Sequence, residues 1–132
     1  MKAYTDDQEN FPLLEKVVKK FNISDKKLKD IVFTYGNTIY TRQPLSYGLI
    51  THETTHILQQ QKNKDEWWGR YLIDNQFRLE QEIEAYQRQL QTYKNNDIGL
   101  YKIMLSKIAD DLSGGMYGDI ITREKAIEAL EV

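Results

Sequence analysis

The chain has no cysteine, only two histidines and two prolines in 132 residues, and almost no net charge. Each shortage excludes something. Without cysteine there are no disulfides and no thiolate ligands, so a transition metal would have to be held by imidazole and carboxylate. A formal net charge of -2, from 18 basic and 20 acidic residues, gives no basic field for a phosphate backbone or an anionic lipid surface, so neither nucleic acid nor membrane is expected as a partner. The nine tyrosines form no stacking array with basic residues, which also argues against nucleic acid. The polar stretch 1–10 has no apolar signal-peptide core, and no later apolar run has the length of a membrane span, so a cytoplasmic location is expected.

With 40% hydrophobic residues, a chain of this length can close one core and is too short for two. A single domain over 1–132 is expected, with 1–10 flexible. Leu14, Val17, Val18 and Phe21 recur at helical spacing, and Pro12 suits an entry to that helix. Ser24 can cap a short turn. Two runs rich in β-branched and aromatic residues, 31–35 and 38–41, flank Gly36-Asn37 and predict a β-hairpin. After Pro44, a helix is expected over about 45–62, with Leu49, Ile50, Ile57 and Leu58 facing the core. A polar break at Asn63-Lys64-Asp65 precedes one long helix over about 67–93, striped by Leu72, Leu79, Ile83, Tyr86, Leu90 and Tyr93. A further helix over about 98–112 turns Tyr101, Met104, Leu105 and Ile108 inward. A glycine-rich loop then leads to a last short helix opened by Thr122. The class expected is α+β, mainly α.

The stretch that carries chemistry is His52-Glu53-Thr54-Thr55-His56, an H-E-x-x-H pattern in mid-helix, where residues four apart lie one turn above each other on one face. Two imidazoles can then grip one ion, while Glu53 is rotated out of the ligand set and stands where a general base is needed. A zinc ion with three protein ligands lowers the pKa of water in its fourth position to about 7 and polarises a carbonyl. By counting over this composition, the pattern arises by accident in about one chain in a thousand. The element Glu53-x-x-His56 also resembles half of a di-iron bundle site, but no second histidine exists on another helix to complete one, and His52 would go unexplained.

Two histidines leave a mononuclear zinc site incomplete, so the third ligand is expected to be a carboxylate, drawn from Glu80, Glu82 or Glu84 on the long helix. At 100° per residue, Glu82 lies about 60° from the apolar stripe, Glu80 about 100° and Glu84 about 140°. Glu82 is the expected ligand and Glu80 the fallback. Two other features have plain structural readings beside functional ones. Trp67-Trp68 would line a pocket or pack a helix, and Gln59-Gln60-Gln61 would touch substrate or end a helix.

Through Leu49-Ile50-Thr51-His52-Glu53-Thr54-Thr55-His56-Ile57-Leu58-Gln59-Gln60 and Glu82-Ile83-Glu84-Ala85-Tyr86, the chain resembles the gluzincin branch of HExxH metallopeptidases, especially the small minigluzincin-like proteins of bacteria and phages. The resemblance implies a zincin-like core, with an N-terminal helix, a β-hairpin, the motif helix, a long helix bearing the glutamate ligand and C-terminal helices. It implies one Zn2+ per chain on His52, His56 and Glu82, with Glu53 activating water for hydrolysis of a peptide or protein substrate. It also implies that the hairpin offers an edge strand, Thr38–Thr41, on which an extended peptide would dock. Larger gluzincins often carry aspartate where this chain has Tyr86, so a histidine's supporting partner is expected to be missing or different. No further histidine remains to stabilise an oxyanion; Tyr117, on the glycine-flanked loop, is the candidate for that role or for substrate contact, against the plainer reading of a tyrosine packed on the core. So short a chain leaves an accessory protein, a homo-oligomer or a flexible substrate to complete the cleft. The rival expectation is a non-catalytic or weakly catalytic zinc-stabilised binding or structural module, for example a phage or complex component.

Overall fold

A computed structural model describes residues 3–131. Met1 and Lys2, part of the segment expected to be flexible, lie outside the described residues. The described chain is α+β and mainly helical. Strand β1 (Tyr4–Asp7) and a 3-10 turn (Gln8–Asn10) lead to helices α1 (Leu14–Phe21) and α2 (Asp25–Leu28), then to strands β2 (Phe33–Tyr35) and β3 (Thr38–Thr41). Helices α3 (Tyr47–Gln59), α4 (Lys64–Ile73), α5 (Asn75–Asn96) and α6 (Ile98–Leu112) follow, with a 3-10 turn (Gly115–Tyr117) and α7 (Arg123–Leu130) completing the chain.

Most helix starts are written locally. Ser24, Ser46, Asn63, Asp74, Asp97 and Thr122 each accept a hydrogen bond from the backbone N–H three residues on, satisfying a donor that the first turn leaves open. Asp74 breaks what periodicity predicts as a single helix over about 67–93. Its backbone is extended (φ -114°, ψ 103°), its own N–H closes α4 on the Arg70 carbonyl at 2.9 Å, and its carboxylate caps Phe77 N at 3.0 Å. A side chain that competes for the backbone N–H ends one helix and opens the next. The remaining stripe holds: Leu72, Leu79 and Leu90 are buried, and Ile83, Tyr86 and Tyr93 partly so.

The hairpin forms as the sequence predicts, with Gly36 supplying the positive φ of 62° needed at the first central position of its two-residue turn. The segment expected to be flexible contributes β1, which pairs parallel to β3 from Tyr4↔Thr38 to Asp7↔Thr41. The sheet order is therefore β1-β3-β2, and Thr38–Thr41 is the central strand rather than an edge. Peptide docking by strand addition to Thr38–Thr41 is overturned, because β1 and β2 flank it on both sides. The outer side of β2 is also occupied. Gln60 accepts from Gly36 N at 2.9 Å and donates to the Thr34 carbonyl at 2.8 Å, and Trp68 Nε1 donates to the same carbonyl at 3.0 Å.

Two apolar clusters form the interior. One joins α1, the hairpin and α4 through Phe11, Val17, Phe33, Trp67, Trp68 and Tyr71; the other joins α5, α6 and α7 through Leu79, Leu90, Ile108, Leu112, Tyr117 and Leu130. Helix α3 packs along α5. At Gly48 the two come so close that a Cβ would stand 2.7 Å from the Tyr93 ring. The inward positions of α3 are mostly polar: His52, Glu53, Thr55 and His56 are buried along with Ile57, whereas Ile50 and Leu58, expected in the core, are 41% and 45% exposed. The face that would ordinarily carry aliphatic packing carries the candidate site.

Candidate metal centre

On α3, one helical turn stacks His52 over His56, and the packing of α5 against this face brings in Glu82. Glu82 Oε1 lies 3.0 Å from His52 Nε2 and 3.2 Å from His56 Nε2, and the two nitrogens are 3.1 Å apart. Among the described residues, these three side chains form a buried group able to hold a metal ion. The spacing fits one. The ligands of a tetrahedral ion with bonds of about 2.0 Å lie about 3.3 Å apart. Protons alone serve this arrangement poorly, since two imidazoles donating to one carboxylate oxygen would crowd their N–H hydrogens side by side on nitrogens only 3.1 Å apart. A cation at the centre uses all three lone pairs.

The third ligand expected from the stripe geometry is thus the carboxylate brought to the histidines. Glu80 is exposed, and Glu84 is exposed and bonded to Gln59. Glu53 is buried beside the triangle without joining it: its Oε2 is 3.9 Å from His52 Nε2, while its Oε1 accepts from Thr34 Oγ1 at 2.8 Å. Tyr117 lines the same cleft and is buried in the α5–α7 cluster, with Glu82 near enough to perturb it.

Several supporting groups were not read as such from sequence. The Tyr71 hydroxyl donates to Glu82 Oε2 at 2.7 Å, leaving Oε1 for the histidines. His56 Nδ1 meets Gln59 Oε1 at 2.8 Å, and the Trp67 ring tilts against the His56 ring at 5.5 Å. Tyr86, standing where larger gluzincins often have aspartate, packs its ring 4.4 Å from the His52 ring, and His52 Nδ1 is buried with no hydrogen-bond partner among the described residues. Helical spacing contains a signal for Gln59, three residues after His56. It contains none for Tyr71, whose reach to Glu82 depends on the break at Asp74.

Without a metal, the charges of the site are strongly coupled. Burial raises the Glu82 pKa, but His56 and His52 beside it prevail and hold it well below the usual carboxylate range. Burial likewise opposes charge on His56, yet the adjoining Glu82, with Glu53 and Gln59, raises its pKa to about 9. Burial raises Glu53 above the ordinary carboxylate value; His52 and His56 pull it down, Glu82 pushes it up and the Thr34 hydrogen bond lowers it. Burial and the nearby Glu82 carboxylate push Tyr71 well above 10, so its hydroxyl stays a donor.

The site opens on a cleft of about 980 Å³ between the two apolar clusters, lined by Phe21, Thr34, Trp67, Arg78 and Met104 among others. That volume lies within the range of small-molecule and peptide side-chain pockets, about 300–1,000 Å³. No helix among the described residues is long and apolar enough to cross a membrane. Searches of protein-family models, of curated proteins and of solved structures find no match to this chain.

Proposed function

We propose that this chain is a zinc-dependent metallohydrolase of the gluzincin, minigluzincin-like type, a peptidase acting on amide bonds. The observation that carries the reading is the convergence of His52 Nε2, His56 Nε2 and Glu82 Oε1 to within 3.0–3.2 Å, with the Glu53 carboxylate beside them. Bound on those three atoms, one zinc ion supplies an acidified water and polarises the scissile carbonyl.

The chain's own residues do the rest. Glu53 takes a proton from water at Oε2, the oxygen nearer His52, because Thr34 occupies Oε1. It then delivers that proton to the departing amine nitrogen. Tyr71 holds the Glu82 carboxylate by its outer oxygen. The aromatic wall of Trp67, Trp68 and Tyr71 keeps the ligand side of the cleft dry. Tyr117, in the cleft wall, is the proposed donor to an oxyanion or contact to substrate. The cleft is open to an extended or flexible peptide, and an accessory protein or a second copy would supply any further wall.

The deep burial of the three ligand residues, 5–7% exposed, also suits the second reading, a zinc-stabilised binding or structural module with little turnover. Structural zinc sites close all four positions with protein ligands, whereas only three converge among the described residues. Glu53→Gln separates the readings. Hydrolysis of a broad peptide library, read by mass spectrometry, falls by about 10²–10⁴ with zinc and fold retained if Glu53 is the base. Hydrolysis by E53Q equal to wild type would end the mechanism.

A further inference from the structure

We propose that Gln59 is a positioning residue that fixes the tautomer of His56 and so prepares its Nε2 as a metal ligand; the inference rests on the metal-site reading above. The hydrogen-bonding character of its neighbours sets the orientation of the Gln59 amide. One end of that amide lies 3.0 Å from the Gln81 carbonyl oxygen and 2.8 Å from Glu84 Oε1. Both neighbours are acceptors, so the atom facing them is the amide nitrogen. The oxygen is thereby turned to His56 Nδ1 at 2.8 Å, and an amide oxygen only accepts. The neutral imidazole of His56, the form that binds a metal, must carry its proton on Nδ1, which turns the Nε2 lone pair toward Glu82 Oε1 and His52 Nε2.

Helix α5 thus dictates, through one glutamine, which nitrogen of a histidine on α3 is free. Gln81 is itself held, its side-chain oxygen accepting from Trp67 Nε1 at 2.8 Å while the Trp67 ring leans on His56. Among the described residues nothing equivalent supports His52, whose Nδ1 is buried and unpartnered there. The two histidines are therefore unequal: one is oriented by the fold, the other by its metal-side neighbours and the Tyr86 ring.

The test uses the full chain, zinc as the probe, and two readouts: zinc affinity by competition with a chromophoric chelator, and 15N-detected side-chain NMR of the zinc-loaded protein. Wild type should show His56 with a slowly exchanging Nδ1–H and a metal-bound Nε2. Gln59→Leu should bind zinc 10–100-fold more weakly and lose the protected Nδ1–H signal. Gln59→Glu should be no better, since it sets a carboxylate against Glu84 and the Gln81 carbonyl. Adding Glu84→Gln to it supplies a donor facing that carboxylate and removes one of the two repulsions, so the double variant should bind zinc more tightly than Q59E. A Q59L protein with wild-type affinity and a protected Nδ1–H overturns the inference. Wild type that takes up no zinc overturns the metal reading itself, and this inference with it.

Discussion

The Tyr71 hydroxyl donates to Glu82 Oε2 at 2.7 Å, joining a residue on α4 to the proposed carboxylate ligand on α5. The two oxygens of Glu82 are thus divided, one bonded to a tyrosine and one turned to the histidines. Tyr71→Phe should keep the ring stacked on Trp67, whose centroid is 4.9 Å away, and so keep the fold. Zinc affinity should fall about 10–100-fold, the usual effect of removing a ligand's outer partner. Chelator competition checks this, and unchanged affinity would remove Tyr71 from the site.

The pH dependence of the metal-free protein follows from three groups. His56 is raised from 6.5 to about 9, so its contribution is full below pH 6.5 and is lost as pH rises through about 9. Glu53, also raised, carries a buried charge that becomes unfavourable as pH rises above 4.5. Glu82 is lowered from 4.5, so its contribution is present above that pH and lost as pH falls through its folded value. Chelated protein should therefore lose about 3 kcal/mol of stability between pH 6.5 and 9 in urea unfolding. Zinc bound at the proposed site would replace the His56 proton, so the loaded protein should not follow that fall, and loading near neutral pH should release protons. Parallel pH profiles for the two forms would contradict the assignment.

Gly48 allows α3 and α5 to touch, since a Cβ there would meet the Tyr93 ring at 2.7–2.8 Å. Tyr93 is also held by the Gln89 amide at 2.7 Å and cannot turn away freely. Gly48→Ala should destabilise the protein by about 1–3 kcal/mol, the range for overpacking, despite alanine's better helix propensity. Denaturant midpoints check this; an equal or higher midpoint would mean that the ring yields without strain.

His52, Glu53 and His56 were legible because their relation lies within one helix, where spacing alone sets direction. Glu82 was legible because the stripe on α5 tells which side meets a neighbour. Tyr71 was not, because the side-chain competition of Asp74 that separates α4 from α5 leaves the apolar period almost undisturbed. Strand β1 was hidden for another reason: Tyr4–Asp7 are all exposed, so no buried alternation marks a strand held by backbone pairing. The place of Thr38–Thr41 in the sheet depends on that same nonlocal pairing. Ile50 and Leu58 were expected inside on hydrophobicity, but the inward positions of α3 had gone to the polar site.

The central claim is that His52, His56 and Glu82 hold one zinc ion, and the most direct test is zinc per chain by elemental mass spectrometry on protein purified without a histidine tag. Wild type should carry about one zinc, and Glu82→Ala should lose most of it while Glu80→Ala does not. Full zinc retention in Glu82→Ala, or no zinc in wild type even after the metal is added back, would contradict the account.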